Sequence, residues 1–177
     1  MAQVTDVERL YSEIQAIKTQ LALTGDLSSI SNFETFAAKS LLLAAASYFE
    51  RRITDQILEF ARTASGNEVL VEFIKNQAIS RKYHTMFDWE ANHLNRFFSL
   101  FGPKTKQQLS KETSEGVLKK QVEAFISINS ERNQLVHQNY ASFILTTTTD
   151  DLWNRYIDAV GFCDWLQVAL SKTVTPH

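Results

Sequence analysis

A long stretch without glycine or proline, residues 33–63, is the feature that most restricts how this chain can fold. Ser31 and Glu34 have the spacing of a capping box, which predicts a helix start. Apolar residues then recur at helical spacing, and residues 40–49 are apolar almost all round, so the helix predicted from about Phe33 to Thr63 should be central and buried. The whole chain has only 5 Gly and 2 Pro in 177 residues, too few for a turn-rich β fold.

Further helical patterns predict an all-α fold, a single bundle of about five or six helices. Thr5 and Glu8 again have capping-box spacing, and Gly25 and Gly66 are placed to end the first two helices. The predicted helices after the long one cover about residues 68–79, 88–101, 117–137 and 150–172. Residues 103–116 are the most polar part of the chain and predict an exposed insert within this one domain, residues 1–177.

Two of these helices carry apolar residues whose spacing predicts the face that packs in the core. On the 117–137 helix the predicted face consists of Val122, Phe125, Ile126, Asn129, Asn133 and Val136. On the 150–172 helix it consists of Trp153, Ile157, Val160, Trp165, Val168 and Leu170.

Composition and charge exclude several classes of protein. The formal net charge is −2 with a pI of about 6.1, so any contact with nucleic acid must come from a local basic patch. Cys163 is the only cysteine, which excludes an intrachain disulfide and is more typical of a small core residue than of a nucleophile. Residues 1–14 carry charge and lack a signal core, and the apolar run 41–46 is too short to cross a membrane. We therefore expect a soluble, cytoplasmic protein without a membrane partner.

Arg132 and His137, separated by four residues near the end of a predicted helix, form a pair from which a chemistry can be argued. Histidine exchanges a proton near neutral pH, and arginine presents a planar fork that suits phosphate oxygens. Cleavage of RNA without a metal needs a base or acid and a fixed cation near the phosphorus. Asn133 could supply a neutral hydrogen-bond donor.

Arg132 and His137 can also be explained without catalysis, as ordinary residues of a helix surface and a helix end. On a helix, positions five apart point about 140° away from each other and are displaced by about 7.5 Å along the axis. An arginine after Glu131 is usually a solvated charge, and a histidine near a helix C-terminus often only complements the helix dipole. A second copy of the segment across a two-fold axis would make convergence of the two side chains easier.

The segment R-N-Q-L-V-H, residues 132–137, resembles the R-x4-6-H signature of HEPN domains (higher eukaryotes and prokaryotes nucleotide-binding). The polar residue after the arginine and the apolar pair before the histidine match the usual form. The segment A-A-A-S-Y-F-E-R, residues 44–51, is similar to the corresponding helix of HEPN families in bacterial defence and toxin loci, including those named for the RiboL-PSP domain. The similarity extends over about residues 33–170.

The resemblance implies a metal-independent endoribonuclease, typically a homodimer whose two Arg/His motifs meet in one cleft, without a cofactor. It implies that Arg132 stabilises the transition state or positions the phosphate, and that His137 is the acid or base. Asn133 would be a supporting polar group, and Glu50 would orient Arg132 or His137. Tyr140 departs from the subgroup paired with a nucleotidyltransferase antitoxin, where the tyrosine stands two positions after the histidine rather than three.

Other candidate sites are less favoured by the sequence. His84, Asp88, Glu90 and His93 lie within a short span, but their spacing does not fit a helical zinc site, and we expect no metal. No serine-centred glycine elbow and no phosphate-binding glycine loop is present.

Basic residues near the motif could contact RNA. Lys119, Lys120 and Arg51 are the candidates, and lysines of the 103–116 insert precede Lys119 and Lys120 in the chain. Because acidic residues are interspersed among the lysines, a solvated and flexible surface is the favoured interpretation of that stretch.

The sequence leaves three hypotheses. The leading one is the ribonuclease toxin or effector of a bacterial toxin–antitoxin or anti-phage defence system, with RNA as substrate and a cognate antitoxin or regulator protein as partner. The second is a non-catalytic HEPN-like helical module that binds a nucleotide or a protein partner. The third is an all-α interaction protein unrelated to HEPN, in which Arg132 and His137 point apart into solvent.

Overall fold

Helices make up most of the chain in the computed structural model, which describes residues 4–80 and 82–174. Within these residues there are seven α-helices and no strand, so the all-α prediction is confirmed. The α-helices are α1 (Asp6–Thr24), α2 (Leu27–Ser65), α3 (Glu68–Ile74), α4 (Asn95–Ser99), α5 (Pro103–Glu112), α6 (Gly116–His137) and α7 (Thr149–Val174). A π-helical turn (Lys75–Ile79) continues α3, and a 3-10 turn (Tyr83–Met86) follows it.

Helix α2 begins six residues before the predicted start. The side chain of Asp26 accepts hydrogen bonds from the backbone N–H groups of Ser28 and Ser29, which makes Asp26 the N-cap. The prediction that Ser31 and Glu34 cap this helix was therefore wrong. Glu34 instead accepts hydrogen bonds from the backbone N–H and the hydroxyl of Thr149, at 2.7 and 2.9 Å, and so fastens α2 to the start of α7.

The same carboxylate belongs to a network that joins three helices. Lys18 of α1 lies 3.1 Å from both Glu34 and Asp150, and Asp150 also accepts hydrogen bonds from Tyr11 and Gln15. Burial together with the bond to Asp150 raises the pKa of Tyr11 to about 12. The network holds the N-terminal helix against the other two.

Replacing Glu34 by alanine should lower the free energy of unfolding by about 1–3 kcal/mol, because the buried Thr149 would lose its acceptors. Denaturant unfolding followed by circular dichroism measures this change. Glu13→Ala, on the exposed surface of α1, is the control and should change stability by less than about 0.5 kcal/mol. Equal losses in the two variants would contradict the role given to Glu34.

The core lies where α2, α6 and α7 meet. Phe125 of α6 is fully buried and packs against Phe49 of α2, Phe87, Trp89 and Phe162 of α7. Aromatic side chains bury large areas and gain further energy from edge and offset contacts, so this cluster is a main source of cohesion.

The helical register of the core differs from the prediction at two places. On α6, Leu135 is fully buried whereas Val136 is 52 % exposed, because Leu135 continues the face of Ile128, seven residues earlier. On α7, Ile157 and Val168 are exposed rather than buried. The buried face of α7 is formed by Leu152, Tyr156, Ala159, Phe162, Cys163, Leu166, Ala169 and Leu170.

The connection between α3 and α5 is less helical than its apolar pattern predicts. Asp88 does not cap a helix: its side chain accepts from the Glu90 N–H and its carbonyl from Ala91 N–H, which makes a turn. The following helix, α4, has only five residues. The polar insert is largely helical as α5, and the fully buried Leu109 anchors that helix to the core.

None of the helices within residues 4–80 and 82–174 combines the length and apolarity that a membrane crossing requires.

Candidate functional site

The last two turns of α6 carry Arg132, Asn133 and His137. The helix runs as predicted to His137, and Leu135 anchors its final turn in the core. The preceding acid, Glu131, is bound by Arg155 of α7 at 2.5 Å. Glu131 therefore neutralises a charge on α7, and Arg132 points to a different set of partners.

Arg132 makes two hydrogen bonds through the same terminal nitrogen. Its Nη1 lies 3.0 Å from Nε2 of His84 and donates to Oδ1 of Asn133 at 3.2 Å. His84 is 48 residues away in the sequence, in the 3-10 turn (Tyr83–Met86) of the connection before α4. The fold thus adds to the Arg/His motif a histidine that sequence reasoning considered only as a metal ligand.

Glu50 of α2 reaches the same cluster. Its Oε2 lies 3.7 Å from Nε2 of His84. The resemblance to HEPN domains implied that Glu50 orients Arg132 or His137, and the residue it approaches here is His84, which is bonded to Arg132. Glu50, His84, Arg132 and Asn133 therefore form one polar cluster at the junction of α2, α6 and the connection after α3.

The backbone around His84 is held from several sides. The Trp89 indole N–H donates to the carbonyl of His84 at 3.0 Å. Next to it, the buried Tyr83 hydroxyl lies 3.3 Å from Oδ1 of Asn129 on α6, and the amide of Asn129 donates to the Phe125 carbonyl. The π-helical turn just upstream is a form that recurs at functional sites. The backbone of His84 is therefore fixed against buried neighbours, and its side chain is half-buried at 38 % exposure.

His84 is electrically neutral near pH 7. Burial and the neighbouring Arg132 charge lower its pKa below the ordinary value, and His137 acts in the same direction. Glu50 opposes them, but at 3.7 Å its effect is the smaller, so the pair Glu50–His84 is not an ion pair at neutral pH. Since arginine only donates, Nε2 is the acceptor and the ring proton resides on Nδ1.

His137 is the final residue of α6 and is exposed to solvent. No hydrogen bond joins it to Arg132 among the residues that the structure describes. Its charge, when present, contributes a small part of the lowering of the His84 pKa. Arg132 and His137 are five positions apart on α6, so their side chains leave the helix in different directions.

The segment after His137 is fastened to α2 by a buried lysine. Lys39 is 5 % exposed, and its ammonium donates to the backbone carbonyl of Tyr140 at 2.8 Å. The same ammonium lies 5.0 Å from the centre of the Tyr140 ring, within cation–π range. This contact fixes where the chain goes after the motif helix.

The three residues suggested for RNA contact lie away from the cluster. Lys120 pairs with Asp158 at 2.9 Å, and Lys119 lies near Glu123. Both stand at the start of α6, about 18 Å or more along the helix axis from Arg132. Arg51 pairs with Asp55 and borders a groove of about 770 Å³ on another face of α2. Whether any of the three binds RNA stays a prediction.

The histidines and acids of residues 84–93 do not assemble into a metal centre. No group of three or more His, Cys, Asp or Glu side chains is arranged to hold a metal ion in the described part of the chain. His93 is exposed, and Asp88 serves the turn described above. Cys163 is fully buried, and burial raises its pKa to about 12, which suits a core residue and not a nucleophile.

A family model described as RiboL-PSP-HEPN matches residues 5–171, nearly the whole chain. The chain therefore belongs to the RiboL-PSP-HEPN family, as the motif and the long second helix predicted. No curated protein and no solved structure matches it. Membership indicates a nuclease-like or RNA-related module, in a family whose domains often act on RNA and dimerise.

Proposed function

We propose that this chain is a metal-independent endoribonuclease. The observation that carries the proposal is the Arg132 guanidinium, held by His84 and Asn133 next to an exposed histidine at the end of one helix. Family membership supports the same conclusion, because the family is RNA-related.

In the proposed reaction the ribose 2′-oxygen attacks the adjacent phosphorus, and the bond from phosphorus to the 5′-oxygen breaks. The proton of the 2′-hydroxyl goes to a base, and the leaving 5′-oxygen receives one from an acid. His137 carries out one of these transfers, since histidine gains and loses a proton near neutral pH. Arg132 binds the phosphoryl oxygens, where negative charge increases in the transition state. The products are a 2′,3′-cyclic phosphate and a 5′-hydroxyl.

Asn133 and Glu50 have supporting roles in this proposal. Oδ1 of Asn133 accepts from Arg132, so its amide N–H groups are the ones that remain to bind a phosphate or a base. Glu50 places a negative charge 3.7 Å from Nε2 of His84 and limits the net positive charge of the cluster.

The active form in this proposal is a homodimer in which the two motifs face one cleft. Exposed apolar residues surround the motif end of α6: Val136 precedes His137, Tyr140 and Ile144 follow it, and Phe36 lies on the α2 surface one turn before Lys39. A two-fold arrangement would bury such residues and bring His137 of one copy toward Arg132 of the other. The biological role we propose is that of a cytoplasmic toxin or effector in a toxin–antitoxin or anti-phage system, restrained by an antitoxin or regulator protein.

Cleavage of an end-labelled RNA pool in EDTA tests the function directly. The expected result is cutting at internal sites that leaves cyclic phosphate ends, which resist a phosphatase until mild acid opens the ring. Cleavage that stops in EDTA, or that leaves 5′-phosphate ends, would rule out the proposed reaction.

A non-catalytic module is the second candidate. One observation favours it: two N–H groups of Arg132 are already satisfied by the protein, and His137 occupies a helix C-terminus, where a cation complements the dipole. In that case the wild-type chain binds a nucleotide or a protein partner without cutting RNA, and His137→Ala alters assembly or binding only.

A further inference from the structure

We propose that His84 is a positioning residue that fixes the direction in which Arg132 presents its guanidinium to the phosphate. The inference rests on the proposed function and extends it to a residue outside the Arg/His motif. Its basis is geometric: Nε2 of His84 accepts from Nη1 of Arg132 at 3.0 Å, and the rings of Tyr83 and Trp89 pack against the His84 ring.

The two bonds of Arg132 determine which of its donors remain. Nη1 has two N–H groups, and the acceptors on His84 and Asn133 use both of them. The N–H groups of Nε and Nη2 lie side by side on the edge of the guanidinium that is left. That edge is the one that can bind two oxygens of a phosphate at once. His84 therefore selects a side-on, two-bond contact and prevents the side chain from rotating.

His84 can act in this way because its own ring has little freedom. Its ring centre lies 5.2 Å from that of Tyr83 and 6.3 Å from that of Trp89, with edge-to-face geometry in both contacts. Trp89 also binds the carbonyl of His84, and Tyr83 is buried. A long, flexible arginine loses conformational entropy when it is ordered. Because the rigid acceptor already orders Arg132 in the free protein, less entropy is lost when the substrate binds.

The bond exists only while His84 is neutral. Charged or titratable groups face the ring from two helices: Glu50 from α2, and Arg132 and His137 from α6. Protonation would place a hydrogen on Nε2, which would then be a second donor directed at a donor of Arg132. Arg132 and burial both resist this protonation, and so the bond persists near pH 7 and weakens in acid.

Two substitutions separate positioning from proton transfer. Glutamine can place an amide oxygen close to the location of Nε2, whereas leucine fills similar space without an acceptor. We expect His84→Leu to reduce kcat on RNA by about 10–100-fold with little change in KM. A misdirected Arg132 would stabilise the transition state less, while binding of the substrate would change little. His84→Gln should recover most of that loss. It should also make the acid side of the profile of kcat against pH less steep, since one titrating group is gone.

Loss of activity in His84→Gln as severe as in His84→Leu, with both variants folded by circular dichroism, would overturn the proposal in favour of direct proton transfer. Unchanged kcat in both variants would overturn it as well. His93→Gln is the matched control, an exposed histidine outside the cluster that should behave like wild type.

A measurement without RNA keeps this proposal distinct from the proposed function. Proton NMR of the histidine rings gives the pKa of His84 in wild type and in Arg132→Gln. We expect a value below 6.5 in wild type and a rise in Arg132→Gln, because the nearby positive charge is removed. Absence of that rise would refute the Arg132–His84 contact. A clear rise in a chain that cuts no RNA would leave the contact intact and refute the nuclease.

Discussion

Replacing His137 by alanine is expected to reduce RNA cleavage by about 10²–10⁴-fold, the usual contribution of a positioned acid or base. The fold should survive, since His137 is exposed at the last position of α6 and the loss of its favourable interaction with the helix dipole costs at most about 1 kcal/mol near pH 7. Initial rates on a labelled RNA, together with thermal unfolding of the same preparations, measure both effects. A rate within threefold of wild type would remove His137 from the chemistry.

His93→Ala is the control for this experiment, because it deletes an exposed histidine that lies outside the cluster.

Arg132→Ala should also lose activity by about 10²-fold or more. Mixing the two inactive variants, Arg132→Ala and His137→Ala, tests whether the motifs share a cleft. A mixed dimer contains one intact arginine and one intact histidine on different chains, so partial recovery is expected. Mixtures that form dimers but stay inactive would show that each pair acts within its own chain.

Replacing Phe125 by alanine is expected to lower the free energy of unfolding by about 3–5 kcal/mol, the usual range for truncation of a buried phenylalanine. Phe125 is fully buried and contacts aromatic rings from two other helices and from the connection before α4. For a chain of this length the loss corresponds to a fall in Tm of about 6–20 °C. Calorimetry or circular dichroism on heating measures it.

Phe73→Ala provides the matched control, because Phe73 is 61 % exposed on α3, away from the proposed dimer face, and its truncation should change stability by less than about 0.5 kcal/mol. A fall in Tm of less than 3 °C for Phe125→Ala would contradict the central place given to this ring. The candidate site should lose order together with the core. Phe125 packs on Phe87 and Trp89, and the Trp89 indole N–H donates to the carbonyl of His84. Near the lowered Tm, we expect activity to disappear before secondary structure does.

Local signals in the sequence were sufficient for most helix ends. Thr5 with Glu8 forms the predicted capping box, and Gly25 and Gly66 end their helices in the left-handed conformation. The predicted start of α2 was wrong because two capping signals, Asp26 and the pair Ser31 and Glu34, lie within nine residues. Asp26 follows a glycine that ends α1, and it caps the next helix at once. Glu34 was then free to bind Thr149, a contact 115 residues apart that no local pattern indicates.

In the candidate site, too, local sequence signals identify some residues, whereas others are brought in only by the fold. Arg132, Asn133 and His137 lie in one short motif, and local spacing was enough to select them. His84 is in a segment without helical periodicity, and its approach to Arg132 depends on how the connection after α3 folds back onto α6. The only hint in the sequence was its position between Tyr83 and Trp89, aromatic residues that suggest a packed environment. Because His84 lies near Asp88 and His93 in the sequence, it was considered only as a metal ligand, and the spacing argued against that role.

Helix α2 also determines where the length of this chain can change. Lys39 and Glu50 are eleven residues apart, which places them about three turns apart on nearly the same face of the helix. One binds the segment after the motif, and the other approaches His84. A single inserted or deleted residue between them would rotate one of the two away by about 100°. Insertions and deletions among homologues should therefore avoid residues 39–50.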